Sequence, residues 1–180
     1  MKQPIVQLGH EALRTKCAPL SVDQITASET QQLVQDLRDT LAAEKDGVGL
    51  SAPQIAVTKR VALIGALAFS VDGPKGLSHN DIVMINPRIT KSSKKTEVME
   101  EGCLSIRWVY GDVARYKQVT VEYYDEHGTK QSRGFSGFVS HVVQHELDHL
   151  DGILFIDYAT ELHELTPEEI ARINADHHAA

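Results

Sequence analysis

The chain has 180 residues, of which 42% are hydrophobic and 24% charged, and 18 basic against 25 acidic side chains give a formal net charge of −7. This is ordinary globular composition at the length of one domain, expected to span 1–180, which excludes a disordered chain, a collagen-like fibre and a disulfide scaffold. The acidic balance weighs against a dedicated nucleic-acid binder and against docking on anionic lipid.

Two cysteines only, Cys17 and Cys103, and a start without an apolar leader point to a reducing, cytoplasmic setting. Along the chain, Ser28-Glu29-Thr30 reads as a helix start, followed by a stripe of Leu33, Leu37 and Leu41 with Val34 and Thr40. Asp46-Gly47 is expected to stop that helix, and Ser51-Ala52-Pro53-Gln54 to form a non-helical loop, because Pro53 restricts Ala52. The longest apolar run, Val61 to Phe69, is too short to span a bilayer.

Short strands are expected over 60–64, 82–85 and 118–124, with a hairpin turn at Asp125–Gly128, a return strand over 130–135 and a loop over 71–81. Phe138 to Leu150 reads as a helix apolar on nearly all sides, ended by Asp151-Gly152. Thr166 and Pro167 open a last short helix with a polar end. Strands in the middle and helices at the ends give an α+β fold.

The chemistry concentrates in His145-Glu146-Leu147-Asp148-His149. Four helical residues turn through about 400°, so both imidazoles emerge on one face, one turn apart, where they can meet a single ion. Glu146 is rotated by about 100° and reaches the position of a base for a water on that ion. The alternative is two helix histidines satisfied by backbone carbonyls, since the bare pattern also arises by chance.

A third ligand is needed. Phe155 stands where one zinc-protease group has its third His, and Glu161, Glu164, Glu168 and Glu169 lie in a segment that reads as a solvated acidic face. His141 is about 12 Å along the helix from His149, too far to share the ion. Cys103 remains, flanked by Gly102, which opens backbone access around the thiol; a buried structural cysteine is the alternative reading.

Three motifs stand in order: Gly47-Val48-Gly49-Leu50-Ser51-Ala52-Pro53-Gln54, Glu101-Gly102-Cys103-Leu104-Ser105 and Gln144-His145-Glu146-Leu147-Asp148-His149. In order, spacing and chain length this set closely resembles the peptide deformylase family. The resemblance implies mixed and antiparallel sheets packed around a central metal-binding helix, with N-terminal helices and a short C-terminal helix. It implies Cys103, His145 and His149 as metal ligands, Glu146 as general acid and base, and Gln54 with the Leu104 N–H as oxyanion donors.

The implied reaction is hydrolysis of the formyl group from formyl-methionyl peptides and nascent chains, by attack of a water on the ion, releasing formate. The family's usual ion is Fe²⁺, with Ni²⁺ or Zn²⁺ as substitutes; donor chemistry alone would name Zn²⁺. By position beside the motifs, Val48, Phe138 and Val142 are candidates for the pocket of the substrate's first side chain, although Phe138 reads equally as plain core. Gly47 and Gly49 would let the substrate lie alongside as an added strand, and Gly102 and His141 adjoin the same pocket.

The chain departs from the family at several places. Ser51 stands for Ala, a small change with no expected consequence, and Arg107 for Pro. Trp108-Val109-Tyr110-Gly111 also differs, including at the Arg often found near Tyr110, and His141 replaces an apolar or Arg position. These departures bear on substrate preference rather than on metal binding. A monomer without nucleic-acid or membrane partners is expected, with ribosome contact by the acidic C-terminal helix left open. The rival readings are a zinc endopeptidase, a binding protein without turnover, and a structural zinc module, which would not need Glu146 or Gln54.

Overall fold

The computed structural model describes residues 1–72 and 80–179. Among these residues eight strands and five α-helices follow in the order α1 (Val22–Ile25), α2 (Ser28–Ala42), β1 (Gly49–Ser51), β2 (Val61–Ile64), α3 (Ala66–Asp72), β3 (Ile82–Ser92), β4 (Thr96–Cys103), β5 (Ile106–Tyr116), β6 (Gln118–Tyr124), β7 (Lys130–Ser136), α4 (Gly137–Leu150), β8 (Thr160–Glu164) and α5 (Pro167–Ala179). They form two antiparallel sheets, one ordered β1-β2-β3-β6-β7 and one ordered β4-β5-β8. The fold is α+β, as expected. Among the described residues no helix is long and apolar enough to cross a membrane.

The larger sheet is covered on both faces, and strand composition follows from that. All four residues of β2 are buried, giving an unbroken apolar run rather than an alternating one. Val61 and Leu63 face one cluster with Leu33, Val34, Leu37 and Leu41 of α2. Ile64 faces another with Val142, Val143 and Leu147 of α4, and Ala62 meets Leu150 and Cys17. By contrast β6 alternates between half-exposed and buried positions, with Val119, Val121 and Tyr123 turned inward.

Helix α4 lies between the sheets. A further cluster of Leu13, Ile106, Val113, Leu154 and Phe155 packs beside it, with the Phe155 ring centroid 6.1 Å from that of His145. The helix's buried polar residues serve backbone groups at the end of β5: the Ser140 hydroxyl and the Gln144 Nε2 both donate to the Tyr116 carbonyl at 2.9 Å, while the Tyr116 N–H donates to Gln144 Oε1 at 3.1 Å. Burial without these bonds would cost several kcal/mol, about 1–3 per group, so they fix the helix against β5.

Several expected boundaries shift for identifiable reasons. Helix α2 ends at Ala42 rather than running to Asp46, because the Ala43 N–H turns back onto the Leu41 and Thr40 carbonyls and Glu44–Gly47 closes a further turn. Residues 52–55, expected as non-helical loop, form one 3₁₀ turn with Pro53 inside its first turn, a position Pro tolerates. The apolar run from Val61 divides at Gly65 into β2 and α3. Of the loop expected over 71–81, Val71 and Asp72 belong to α3 and 73–79 lie outside the described residues. Strand β3 continues past its expected end, broken in register between Ile85 and Arg88, where Asn86 adopts φ 53° beside Pro87. The Thr166 cap is present: its N–H donates to Glu169 Oε2 at 2.8 Å and its hydroxyl accepts from the Glu169 N–H at 3.3 Å.

Candidate metal centre and cleft

Cys103 ends β4, and two residues, Leu104 and Ser105, turn the chain into β5. This turn brings the thiol against α4. Cys103 Sγ lies 3.2 Å from His149 Nε2, and a donor atom from each of Cys103, His145 and His149 falls within 4.8 Å of the others.

The donors are suited to a single cation. His145 Nδ1 is 2.9 Å from Glu101 Oε2; an ionised carboxylate only accepts, so Nδ1 carries a proton and Nε2 is the nitrogen left for a cation. Burial opposes the charge, but Cys103 and Glu101 hold the His145 pKa well above that of a free imidazole, so an ion binding at Nε2 would displace a proton. His149 is 1% exposed and its Nδ1 has no hydrogen-bond partner among the described residues. Burial, with His145 beside it, holds the His149 pKa well below that of a free imidazole, which keeps it in the neutral, ligating form. A soft sulfur and two imidazoles make a donor set for a borderline divalent ion.

Glu101 is itself gripped. Arg115 on β5 donates through Nη2 to Glu101 Oε2 at 2.9 Å and through Nε to Oε1, and through Nη1 to Asp148 Oδ2 at 2.7 Å. The Tyr158 hydroxyl also donates to Asp148. Burial alone would raise the Glu101 pKa, but His141, His145 and Arg115 outweigh it and hold the carboxyl well below the usual range. Asp148 therefore acts at one remove: it holds the arginine that holds the carboxylate that faces His145.

Glu146 is 3% exposed, with Oε2 lacking a hydrogen-bond partner among the described residues, and burial pushes its pKa up to about 7. It lies against Gly49: a Cβ there would come within 2.6 Å of Glu146 Oε1. Gln54, 1% exposed, accepts at Oε1 from the Ser51 N–H at 2.8 Å and the Ser51 hydroxyl at 2.9 Å. With Oε1 doubly occupied, its amide nitrogen turns to Cys103 Sγ at 3.6 Å and Ser105 Oγ at 3.3 Å. The Ser51 substitution, expected to be without consequence, thus contributes a buried hydroxyl that helps fix the Gln54 amide.

A cleft of about 250 Å³ opens over these groups. It is lined by Gly47, Val48, Gly49, Gln54, Gly102, Leu104, Phe138, His141, Val142 and Glu146, so the sequence-predicted pocket residues share one cavity with Cys103 and His145. His149, buried beside Cys103, is not part of the cleft wall. His141 does not reach the ligand atoms; its Nδ1 is 3.4 Å from Glu101 Oε1. Across the mouth, Arg107 pairs with Asp46 at 3.2 Å and with Glu44, tying the start of β5 to the loop before β1. Arg115, Asp148 as its partner and Met99 were not foreseen, whereas Trp108, in a segment expected to bear on substrate preference, does line the cleft. An arginine in a strand with no visible pattern gives no sequence signal, whereas Glu101, two residues before Cys103, was available as a partner for a ligating histidine.

Two sheets enclosing a helix whose imidazoles meet a strand-borne thiol, with a buried carboxyl beside them, make an α+β scaffold built around a Cys–His–His group that could hold a metal ion. The family model for polypeptide deformylase matches residues 2–164, and the chain belongs to the polypeptide deformylase family of enzymes. Among similar proteins, "Peptide deformylase 2" of Nostoc sp. is 40% identical over 169 residues, covering 92% of this chain and 91% of that protein. A peptide deformylase of Pseudothermotoga lettingae is 43% identical over 158 residues, covering 87% and 82%. The crystal structure of a class I type b peptide deformylase from Acinetobacter baumannii with Met-Ala-Ser bound is 35% identical, with a TM-score of 0.79 over 88% of this chain and 99% of that one.

Proposed function

We propose that residues 1–180 act as one catalytic domain that removes the formyl group from the N-terminus of formyl-methionyl peptides and nascent chains, releasing formate. The observation that carries this reading is the convergence of Cys103, His145 and His149 beneath a cleft shared with Glu146 and Gln54. Met-Ala-Ser bound to the Acinetobacter baumannii relative supports a methionyl peptide as the ligand.

Cys103 Sγ, His145 Nε2 and His149 would hold one divalent ion. The family resemblance favours Fe²⁺, and the donor set also accepts Zn²⁺ or Ni²⁺. Such an ion supplies Lewis acidity and lowers the pKa of a bound water towards neutrality.

The remaining steps belong to the chain. Glu146 accepts the proton of the attacking water and returns it to the departing amine; a carboxyl near pH 7 serves both directions. As the formyl oxygen gains charge, the Gln54 amide and the Leu104 N–H donate to it, the Gln54 amide already held by Ser51 before substrate arrives. Gly47 and Gly49 leave room for an extended peptide backbone. Val48, Phe138 and Val142 receive the first side chain, and His141 and Gly102 border it. A formyl carbon carries only hydrogen, so a tight wall there excludes larger acyl groups.

The test is formate release from formyl-Met-Ala-Ser by the metal-loaded protein and by Glu146→Ala. The variant should retain its ion, by metal analysis, and lose about 10²–10⁴ in kcat. Near-normal turnover in that variant would refute the acid–base role, and absence of formate release by the metal-loaded parent would refute the reading as a whole.

A further inference from the structure

At the cleft, β4 is the open edge of its sheet, since the order is β4-β5-β8. Met99, Glu101 and Cys103 turn inward, while Glu100 and Gly102 are exposed on the outer face. On that outer face one row runs straight across the sheet: Gly102 pairs with Tyr110, and Tyr110 with His163 on β8. The Tyr110 ring leans over Gly102 so closely that a Cβ there would meet Tyr110 Cε1 at 2.6 Å. From the other side His163 backs the ring, with centroids 6.0 Å apart and planes at 24°.

The neighbouring row is acidic. Glu100 pairs with Asp112 across the strands, and among the described residues neither has a Lys or Arg within ion-pairing distance; Glu100 meets only His163, at 3.7 Å. Glu100, Gly102, Trp108 and Tyr110 all line the cleft.

A peptide lying along the β4 edge must alternate its side chains. If the first enters the pocket beside Val48 and Val142, the second points to the outer face. Resting on the deformylase reading, we propose that Tyr110, braced by His163 and flanked by Glu100, is a specificity determinant that favours a basic second residue in the substrate. The ring face attracts a cation and Glu100 adds opposite charge, whereas an acidic second residue meets only repulsion.

The test uses formyl-Met-X-Ser peptides with X as Lys, Ala or Glu and metal-loaded protein. The order of kcat/KM should be Lys, then Ala, then Glu, with Lys over Glu by about tenfold at low salt, carried mainly by KM and shrinking as salt rises. Tyr110→Phe should keep the preference; Tyr110→Ala and Glu100→Gln should each remove much of it, and His163→Ala should weaken it by freeing the ring. Equal values for the three peptides on the parent protein, or a preference untouched by Tyr110→Ala and Glu100→Gln, would overturn the proposal while formate release stands. Absence of formate from every peptide would instead bring down the deformylase reading and this proposal with it.

Discussion

The Arg115 guanidinium holds both carboxylate oxygens of Glu101, and Glu101 in turn faces His145 Nδ1 at 2.9 Å. Arg115 is 6% exposed and Glu101 8%, so each charge depends on the other. A buried carboxylate left without its partner is far costlier than the pair is stabilising.

Arg115→Ala should therefore destabilise the fold by about 3–5 kcal/mol, read as a shift in urea midpoint. Glu101→Gln should act more locally, weakening the hold on His145 and lowering metal affinity by about 10–100-fold. Competition with a chelator would measure this, and unchanged affinity would show that Glu101 serves packing alone.

Gln54→Ala should lower kcat by about 10²–10³ with little change in KM and no loss of ion. Steady-state kinetics together with metal analysis would check this. A rise in KM with kcat intact would assign Gln54 to ground-state binding instead.

The two cysteines should respond differently to chelation. Cys103 is half-buried at the cleft, while Cys17 is 3% exposed and burial pushes its thiol up to about 11. Iodoacetamide at neutral pH should label Cys103 in the folded, ion-free protein, spare it in the metal-loaded protein, and spare Cys17 in both. Peptide mapping by mass spectrometry distinguishes the sites.

Cys17 also carries a pH signature. Its pKa rises from an ordinary 9.0 to about 11 because burial favours the neutral thiol, with nearby Arg60 opposing. The unfolded chain therefore loses this proton first. Stability from this group is complete below about pH 9 and falls as pH rises towards 11, by up to about 1.4 kcal/mol per unit. Cys17→Ala should show a shallower decline across that window, measured as urea midpoints at several pH values, even though its neutral-pH stability is lower.

The helix-borne part of the candidate site was legible because its spacing is geometric: the two histidines stand four positions apart with Glu146 between them, and α2, β2 and β6 carry buried faces that sequence pattern reveals. Cys103 lies far away in the chain and was marked only by elimination and by the family resemblance. Strands β4, β5 and β8 were less visible. Thr96–Cys103 mixes three glutamates with one Val and one Met, since its outer face is solvated. Thr160–Glu164 is exposed at every residue, so the expected solvated acidic face was right about exposure yet silent about the strand. An edge strand with no buried face leaves no alternation to find. The part played by Arg115 was hidden for a related reason: its partners are 14 and 33 positions away, and nothing local marks such a pairing.

The Glu101–Arg115–Asp148 chain joins β4 and β5 to α4, and the thiol and imidazoles meet across that same seam. Apolar layers can slide a fraction of an ångström with small loss, because contact between hydrocarbons is nearly indifferent to direction. Directional ionic bonds cannot follow such a slip. The two layers are thereby pinned in register at the point where the donor atoms gather, so the precision of the centre is set by a polar clasp beside it and not by the bulk of the hydrocarbon interior.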